Sequence, residues 1–308
     1  MQQRSFALAA QPPYRLDLTA WALRRRPDNA VDCWDGRSYR RVLELGGGPV
    51  EVVAIQEAPA VPQLAVQLTG VQLNRATEAA AEAGLVRLLG LETDLSHFYS
   101  LAVDDPFVGP LAKRFRGLKP PRLPTLFECL VNAIACQQLT LTVGIRLLNR
   151  LAETYGTPVR DGGPHAFPQP TQLAGLSPES LRALGFSRAK ALSIVALAAA
   201  IETGAFDAEA IASLDDEEAV AALMRLRGIG RWSAEYALLR GLGRLNVFPG
   251  DDVGARNNLA RRLKRTGPFD YAAVQDAVRP WQPFAGLVYF HLLLANLVER
   301  GVFTEPAV

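Results

Sequence analysis

The sequence predicts an α+β fold in which a small antiparallel sheet at the N-terminus precedes a larger helical region. Turn-punctuated runs rich in β-branched residues stop at Thr69, and after Gly70 the apolar residues recur at helical spacing. With 308 residues, of which 49% are hydrophobic and 21% charged, the chain is long enough for two or three domains with their own cores.

Strands are predicted at Phe6 to Ala9, Val31 to Trp34, Tyr39 to Leu45, Val50 to Gln56 and Gln63 to Leu68. Asp35-Gly36 and Gly46-Gly47-Gly48-Pro49 are the turn signals between them. The glycine run joins two strands and no helix follows it, so it reads as a hairpin turn and not as a phosphate loop. One helix, Asp17 to Arg26, interrupts the strands and is stopped by Pro27. Asn74 to Leu89 and Leu95 to Ala102 are then helical, and Phe107 to Leu123, Pro-rich with five basic residues and no acids, reads as a connector at a domain junction. Phe127 to Tyr155 is an apolar helix pair interrupted by Gln137, Gln138 and Thr140. Ser177-Pro178 starts a further helix, Leu184 to Ala189 is a helix corner, and Lys190 beyond it is expected in solvent.

The stretch from Ala219 to Arg265 organises the rest. Ser213-Leu-Asp-Asp216 reads as a capping box opening a helix with Val220, Leu223 and Met224 on one face, and Gly228 stops that helix. Ile229 between two glycines predicts a tight hairpin that buries Ile229 while Gly228 and Gly230 take backbone angles closed to other residues. A second helix follows at once, with Trp232 and Tyr236 one turn apart. Its free N–H groups suit a phosphate oxygen, although on Gly-Ile-Gly alone an ordinary helical corner fits equally well. Charge separates the two readings. Arg225 to Arg265 holds ten basic residues against Glu235, Asp251 and Asp252, a net of +7 in a chain whose total is +2, so the remainder sums to −5. Positive charge concentrated around one hairpin is the footprint of a phosphate-tracking face.

Other classes are excluded. Gly228-Ile-Gly-Arg-Trp-Ser233 lacks a third glycine and follows a helix, so it is neither a dinucleotide nor a P-loop motif. Cys33, Cys129 and Cys136 are too few for a four-thiolate site, and His97, His165 and His291 are scattered, so no structural metal is expected. The N-terminus lacks a signal-peptide core and the longest apolar run, Ile194 to Ile201, is too short to cross a bilayer, which predicts a cytoplasmic protein.

Leu226-Arg-Gly-Ile-Gly-Arg-Trp-Ser-Ala234, followed by Phe248-Pro-Gly-Asp-Asp252, resembles the helix-hairpin-helix, Gly/Pro-rich loop and aspartate of the DNA glycosylase superfamily named for them. Gln11-Pro-Pro-Tyr14, Ala135-Cys-Gln-Gln-Leu-Thr140 and Arg279-Pro-Trp281 extend the resemblance over most of the chain, toward its 3-methyladenine DNA glycosylase II branch. The resemblance implies a mostly α-helical, two-lobed glycosylase fold with an N-terminal antiparallel β-sheet domain like that of the TATA-binding protein. Its parts are 1–72 for the sheet and its helix, 113–243 for the central lobe with wedge loop and hairpin, and 73–112 with 244–308 for the lobe carrying the catalytic aspartate.

The same resemblance implies the site residues. Asp252 is the catalytic carboxylate, with Asp251 capping the helix or facing solvent. Trp232, Tyr236, Phe290 and Trp21 line the base pocket, while Gly228, Ile229, Gly230, Arg231, Gln137 and Gln138 contact DNA, with Gln138 as the wedge where the branch has an apolar residue. Strand-cutting relatives carry a lysine at the position of Trp232 for a Schiff base, so the implied enzyme is monofunctional and leaves an abasic site. Asp252 follows a Pro-Gly turn and opens a helix, whose N-terminal dipole favours its ionised form; it would then stabilise an oxocarbenium-like sugar and orient water without protonating the leaving base. That chemistry suits bases that already carry a positive charge, such as 3-methyladenine and 7-methylguanine, which aromatic walls attract by ~0.5 to 2 kcal/mol. The expected partner is double-stranded DNA containing alkylated bases, engaged by a monomer without a cofactor; a monovalent cation bridging hairpin carbonyls and a phosphate is compatible with this. The competing readings are a non-catalytic helix-hairpin-helix module that only holds DNA and a glycosylase for another damaged base.

Overall fold

The computed structural model describes residues 1–304. Strands β1 (Gln2–Ala9), β2 (Cys33–Trp34), β3 (Ser38–Leu45), β4 (Gly48–Ile55) and β5 (Gln63–Gly70) form one sheet in the order β1-β5-β4-β3-β2, and every neighbouring pair is antiparallel. Leu64, Val66 and Leu68 of β5 and Val50, Val52 and Ala54 of β4 are buried, so the two-residue alternation points one face of the sheet inward. Helix α1 (Leu16–Arg24) ends two residues sooner than the sequence reading, because Arg25 turns left-handed with φ 59°.

The helical region comprises α2 (Arg75–Leu89), α3 (Ser96–Ala102), α4 (Val108–Arg114), α5 (Leu126–Cys136), α6 (Leu141–Tyr155), α7 (Pro170–Leu173), α8 (Pro178–Ala183), α9 (Arg188–Glu202), α10 (Ala208–Ser213), α11 (Asp216–Met224), α12 (Arg231–Ala237), α13 (Val253–Arg262), α14 (Tyr271–Val278) and α15 (Ala285–Glu299). A π-helical segment, Leu238–Leu242, prolongs α12. Helix α4 lies inside the segment expected to be a connector: Val108, Leu111 and Ala112 bury against the second core while its basic residues fall in the last turn. The cap of α11 is Asp215, which accepts from Glu218 N–H at 2.8 Å, and not Ser213. Met224 on that helix is exposed, so its buried face is made by Ala219 and Leu223. No single helix among the described residues is long and apolar enough to cross a membrane.

Two large apolar cores result among the described residues, beside a small cluster of Val42, Val159 and Ala166. The first joins the sheet to α2, α5, α6, α9, the hairpin and α12; the second joins α3 and α4 to α13, α14 and α15. Helix α1 lies between them, with Leu16, Ala20 and Leu23 in the first core and Leu18, Trp21 and Ala22 in the second. A buried ion triad ties the sheet to α5: Arg41, 1% exposed, donates to Asp32 at 2.7 Å and to both oxygens of Glu128 at 2.6 Å. Arg41→Ala leaves two carboxylates buried without their counter-ion, which should cost about 3 to 5 kcal/mol of stability, read as a lower urea midpoint.

Candidate active site

The hairpin between α11 and α12 sets the geometry. Gly228 has φ 77°, and a Cβ placed on it would sit 2.3 Å from Ser193 Oγ, so the corner needs glycine both for its backbone angle and for contact with α9. Gly230 differs from expectation: its φ of −102° is open to any residue, and nothing lies within 4 Å of a Cβ there. It is the N-cap of α12, and both it and the following Arg231 are exposed at the start of that helix. Ile229 is buried, 6% exposed, and anchors the hairpin to the first core.

Gln137 is half-buried and points at the hairpin: its amide donates to Gly228 O and Ser233 Oγ, each at 2.8 Å. Lys190, expected in solvent, donates instead to Ala135 O at 2.9 Å and Gln137 O at 2.6 Å, capping the C-terminal end of α5; burial lowers its pKa. These bonds hold the loop tip, where Gln138 is exposed with φ 53° and is followed by Leu139, also exposed.

Asp252 is the N-cap of α13. Its Oδ1 accepts from Ala255 N–H at 2.8 Å, and its Oδ2 accepts from Trp232 Nε1 at 3.1 Å and from Tyr289 OH at 3.0 Å. A reverse turn from Pro249 O to Asp252 N–H, 3.0 Å, presents the carboxylate, while none of these side-chain bonds involves Asp251. Trp232 and Tyr236 face each other with ring centroids 5.6 Å apart. The hairpin, the Pro249-Gly250 turn, the carboxylate and the aromatic pair are thereby assembled in one place, at the junction of the two cores.

Tyr289 was not legible in the sequence, and it replaces Phe290 as the α15 residue at the carboxylate. Phe290 is fully buried with the Arg240 guanidinium 5.1 Å over its ring, so it exposes no wall. Consecutive positions differ by roughly 100° around a helix, and α15 is apolar on nearly every side, so no stripe marks which residue meets Asp252. Gly286 brings Tyr289 into reach: a Cβ there would lie 2.5 Å from Val247 O, so only glycine lets α15 pack this closely. Burial, reinforced by Asp252, pushes the Tyr289 hydroxyl well above its ordinary pKa and keeps it a donor.

Trp21 also lies away from the carboxylate. Its ring packs 5.2 Å from Phe303 and under the Arg24 guanidinium, and it lines a cavity of about 460 Å³ whose walls include neither Asp252 nor Trp232. Behind Tyr236 stand groups that the sequence did not disclose. Arg25 donates to Asn132 Oδ1 at 2.7 Å and to Tyr236 OH at 3.1 Å, and Tyr236 OH donates to the same amide oxygen at 3.2 Å. Arg240, counted with the basic face in the sequence, is buried 5.5 Å over the Tyr236 ring. Tyr236 therefore already holds a cation, whereas among the described residues no guanidinium lies over the Trp232 ring.

Glu235 is buried between α12 and α14, and burial pushes its carboxyl up to about 7. A folded pKa above the ordinary value of 4.5 means that stability present at low pH is lost as pH rises, fully so above pH 7. The loss amounts to about 3 kcal/mol. Glu235→Gln should remove it, so melts should show the variant gaining on the parent between pH 5 and pH 8.

A family model described as the HhH-GPD superfamily base excision DNA repair protein matches residues 131–283, and one for the AlkA N-terminal domain matches residues 5–125. The chain belongs to the HhH-GPD superfamily. The match is to base excision DNA repair proteins, and together with its named homologues it makes the chain a DNA glycosylase, a hydrolase. It is 28% identical to DNA-3-methyladenine glycosylase 2 of Escherichia coli (strain K12), over 91% of this chain and 94% of that protein. It superposes on the 3-methyladenine DNA-glycosylase from Archaeoglobus fulgidus with a TM-score of 0.82 and 26% identity, covering 94% of this chain and 98% of the other. The Schizosaccharomyces pombe 3-methyladenine DNA glycosylase in complex with abasic DNA superposes with a TM-score of 0.57 and 26% identity, over 68% of this chain and 98% of the other.

Proposed function

We propose that this HhH-GPD protein is a monofunctional glycosylase that rotates alkylated, cationic bases such as 3-methyladenine and 7-methylguanine out of duplex DNA and hydrolyses their N-glycosidic bonds. The observation that carries the reading is Asp252, a helix N-cap whose oxygens meet three donors and which faces Trp232 where a Schiff-base enzyme would have a lysine. The lysines of the chain are Lys113, Lys119, Lys190 and Lys264; Lys119 and Lys190 are committed to backbone carbonyls.

The electron pair of the C1′–N bond goes to the departing base, which leaves neutral because it entered positively charged, so no general acid is required. Asp252 stabilises the positive sugar and orients a water, whose oxygen bonds to C1′ and whose proton passes to solvent. Trp232 Nε1–H and Tyr289 O–H fix the carboxylate for both tasks. The exposed N-terminus of α12 holds a backbone phosphate, and the loop tip at Gln138 fills the gap that the extruded nucleotide leaves. The relatives named for 3-methyladenine support the substrate class.

A panel of single-lesion duplexes tests the reading. Release should be fastest for N3- and N7-alkylated purines and should weaken steeply with salt. Much faster release of hypoxanthine or uracil would overturn the cationic-base argument.

A further inference from the structure

We infer that Glu235 is a positioning residue for Asp252, bracing the Pro249-Gly250 turn that presents the carboxylate. This inference rests on the reading of Asp252 as the catalytic group. Glu235 is only 4% exposed, and both of its oxygens are engaged: Oε2 accepts from Gly250 N–H at 3.2 Å, and Oε1 accepts from Tyr271 OH at 2.6 Å. Gly250 lies two residues before Asp252, inside the reverse turn closed by Asp252 N–H. A Cβ at Gly250 would sit 2.8 Å from the Tyr271 ring and 2.9 Å from Gln275 Nε2, so the turn is pressed flat against α14. Gln275 Nε2 in turn donates to Phe248 O at 3.2 Å, holding the segment that enters the turn.

Glu235 also shares α12 with Trp232, one helical turn away. That helix thus grips the catalytic segment twice, through the Trp232 indole on the carboxylate and through Glu235 on the turn behind it. Arg231, at the exposed start of the same helix, lies 5.0 Å over the Tyr271 ring, which donates to Glu235. The exposed start of α12 and the residues that aim the carboxylate are therefore one connected set. An apolar side chain at 235 would leave Gly250 N–H and Tyr271 OH without their buried acceptor and free the turn to shift, and a displacement of an ångström is worth up to about a hundredfold in rate.

The test compares Glu235→Leu and Glu235→Gln with the parent on an alkylated duplex. Three quantities are read: the single-turnover rate at saturating enzyme, the Kd for DNA, and the ¹⁵N–¹H resonance of the Trp232 indole, assigned with Trp232→Phe. Glutamine keeps an acceptor for Gly250 N–H, whereas leucine does not. The expected result is a loss of ~30-fold in rate for leucine with Kd within ~2-fold, recovery by glutamine to within ~3-fold of the parent, and a Trp232 indole shift displaced only in the leucine variant. A leucine variant with parental rate and indole shift overturns the inference, as does a glutamine variant as impaired as the leucine one. If leucine prevents folding, Glu235→Ala, which also lacks an acceptor for Gly250 N–H, takes its place with the same expected loss of rate and displaced indole and the same overturning result. A parent protein that binds the duplex and releases no base contradicts the proposed function instead, and the indole resonance still reads the brace.

Discussion

Asp252→Asn should lower the single-turnover rate of base release by about a thousandfold or more while leaving the Kd for lesion-containing duplex within about threefold, because the charge and not the shape is what the transition state uses. Asparagine caps helices as well as aspartate does, so α13 should remain intact. It cannot, however, meet the present donors with acceptors alone. Trp232 Nε1–H and Tyr289 O–H converge on one oxygen and Ala255 N–H on the other, so an amide must turn an N–H toward a donor in either orientation. Asp251→Asn should leave release near the parental rate, since the bonds that aim the carboxylate belong to Asp252. Full loss with Asp251→Asn and little with Asp252→Asn would reverse the assignment.

At the hairpin, Gly228→Val should weaken DNA binding by about a hundredfold, whereas Gly230→Ala should change it by less than about threefold. Valine at 228 combines a β-branched side chain with φ 77° and places its Cβ 2.3 Å from Ser193 Oγ. Relief requires the corner to move, and with it the carbonyl that accepts from Gln137 and the start of α12. Alanine at 230 meets open space at an unstrained angle. Direct titration of a fluorescent duplex with both variants separates the corner's shape from a general intolerance of side chains at the hairpin. Equal losses in the two would show that the N-terminus of α12 is approached too closely for any Cβ, and that the distinction drawn from Ser193 is immaterial to binding.

The parts of the fold that repeat a local rule were readable in the chain. Alternation in β4 and β5, the turn at Asp35-Gly36 and the glycine corner at Gly228 each encode their own conformation within a few residues. Asp252 was readable as a helix cap for the same reason, since a Pro-Gly turn followed by a capping carboxylate is a local signal, while its choice over Asp251 as the catalytic group came from the family resemblance. What could not be read depends on pairing across long separations. Arg25 meets Asn132 and Tyr236, which are 107 and 211 positions away, and nothing near Arg25 distinguishes it from the arginines on either side. Arg240 looks like part of the basic face until the π-helical segment turns it inward between Tyr236 and Phe290. Lys190 reads as a surface charge because its acceptors are the last carbonyls of a different helix. Glu235 was indistinguishable from a solvated acid until Tyr271 and Gly250 closed over it.

The most direct test of the whole account follows both products from a duplex bearing one N3-alkylated adenine. Free base should accumulate while the strand stays whole until alkali is added, as expected of an aspartate that hydrolyses the sugar–base bond beside a tryptophan that cannot form a Schiff base. Strand breaks before alkali, or a protein–DNA adduct trapped by borohydride, would contradict it, and so would DNA binding with no base released.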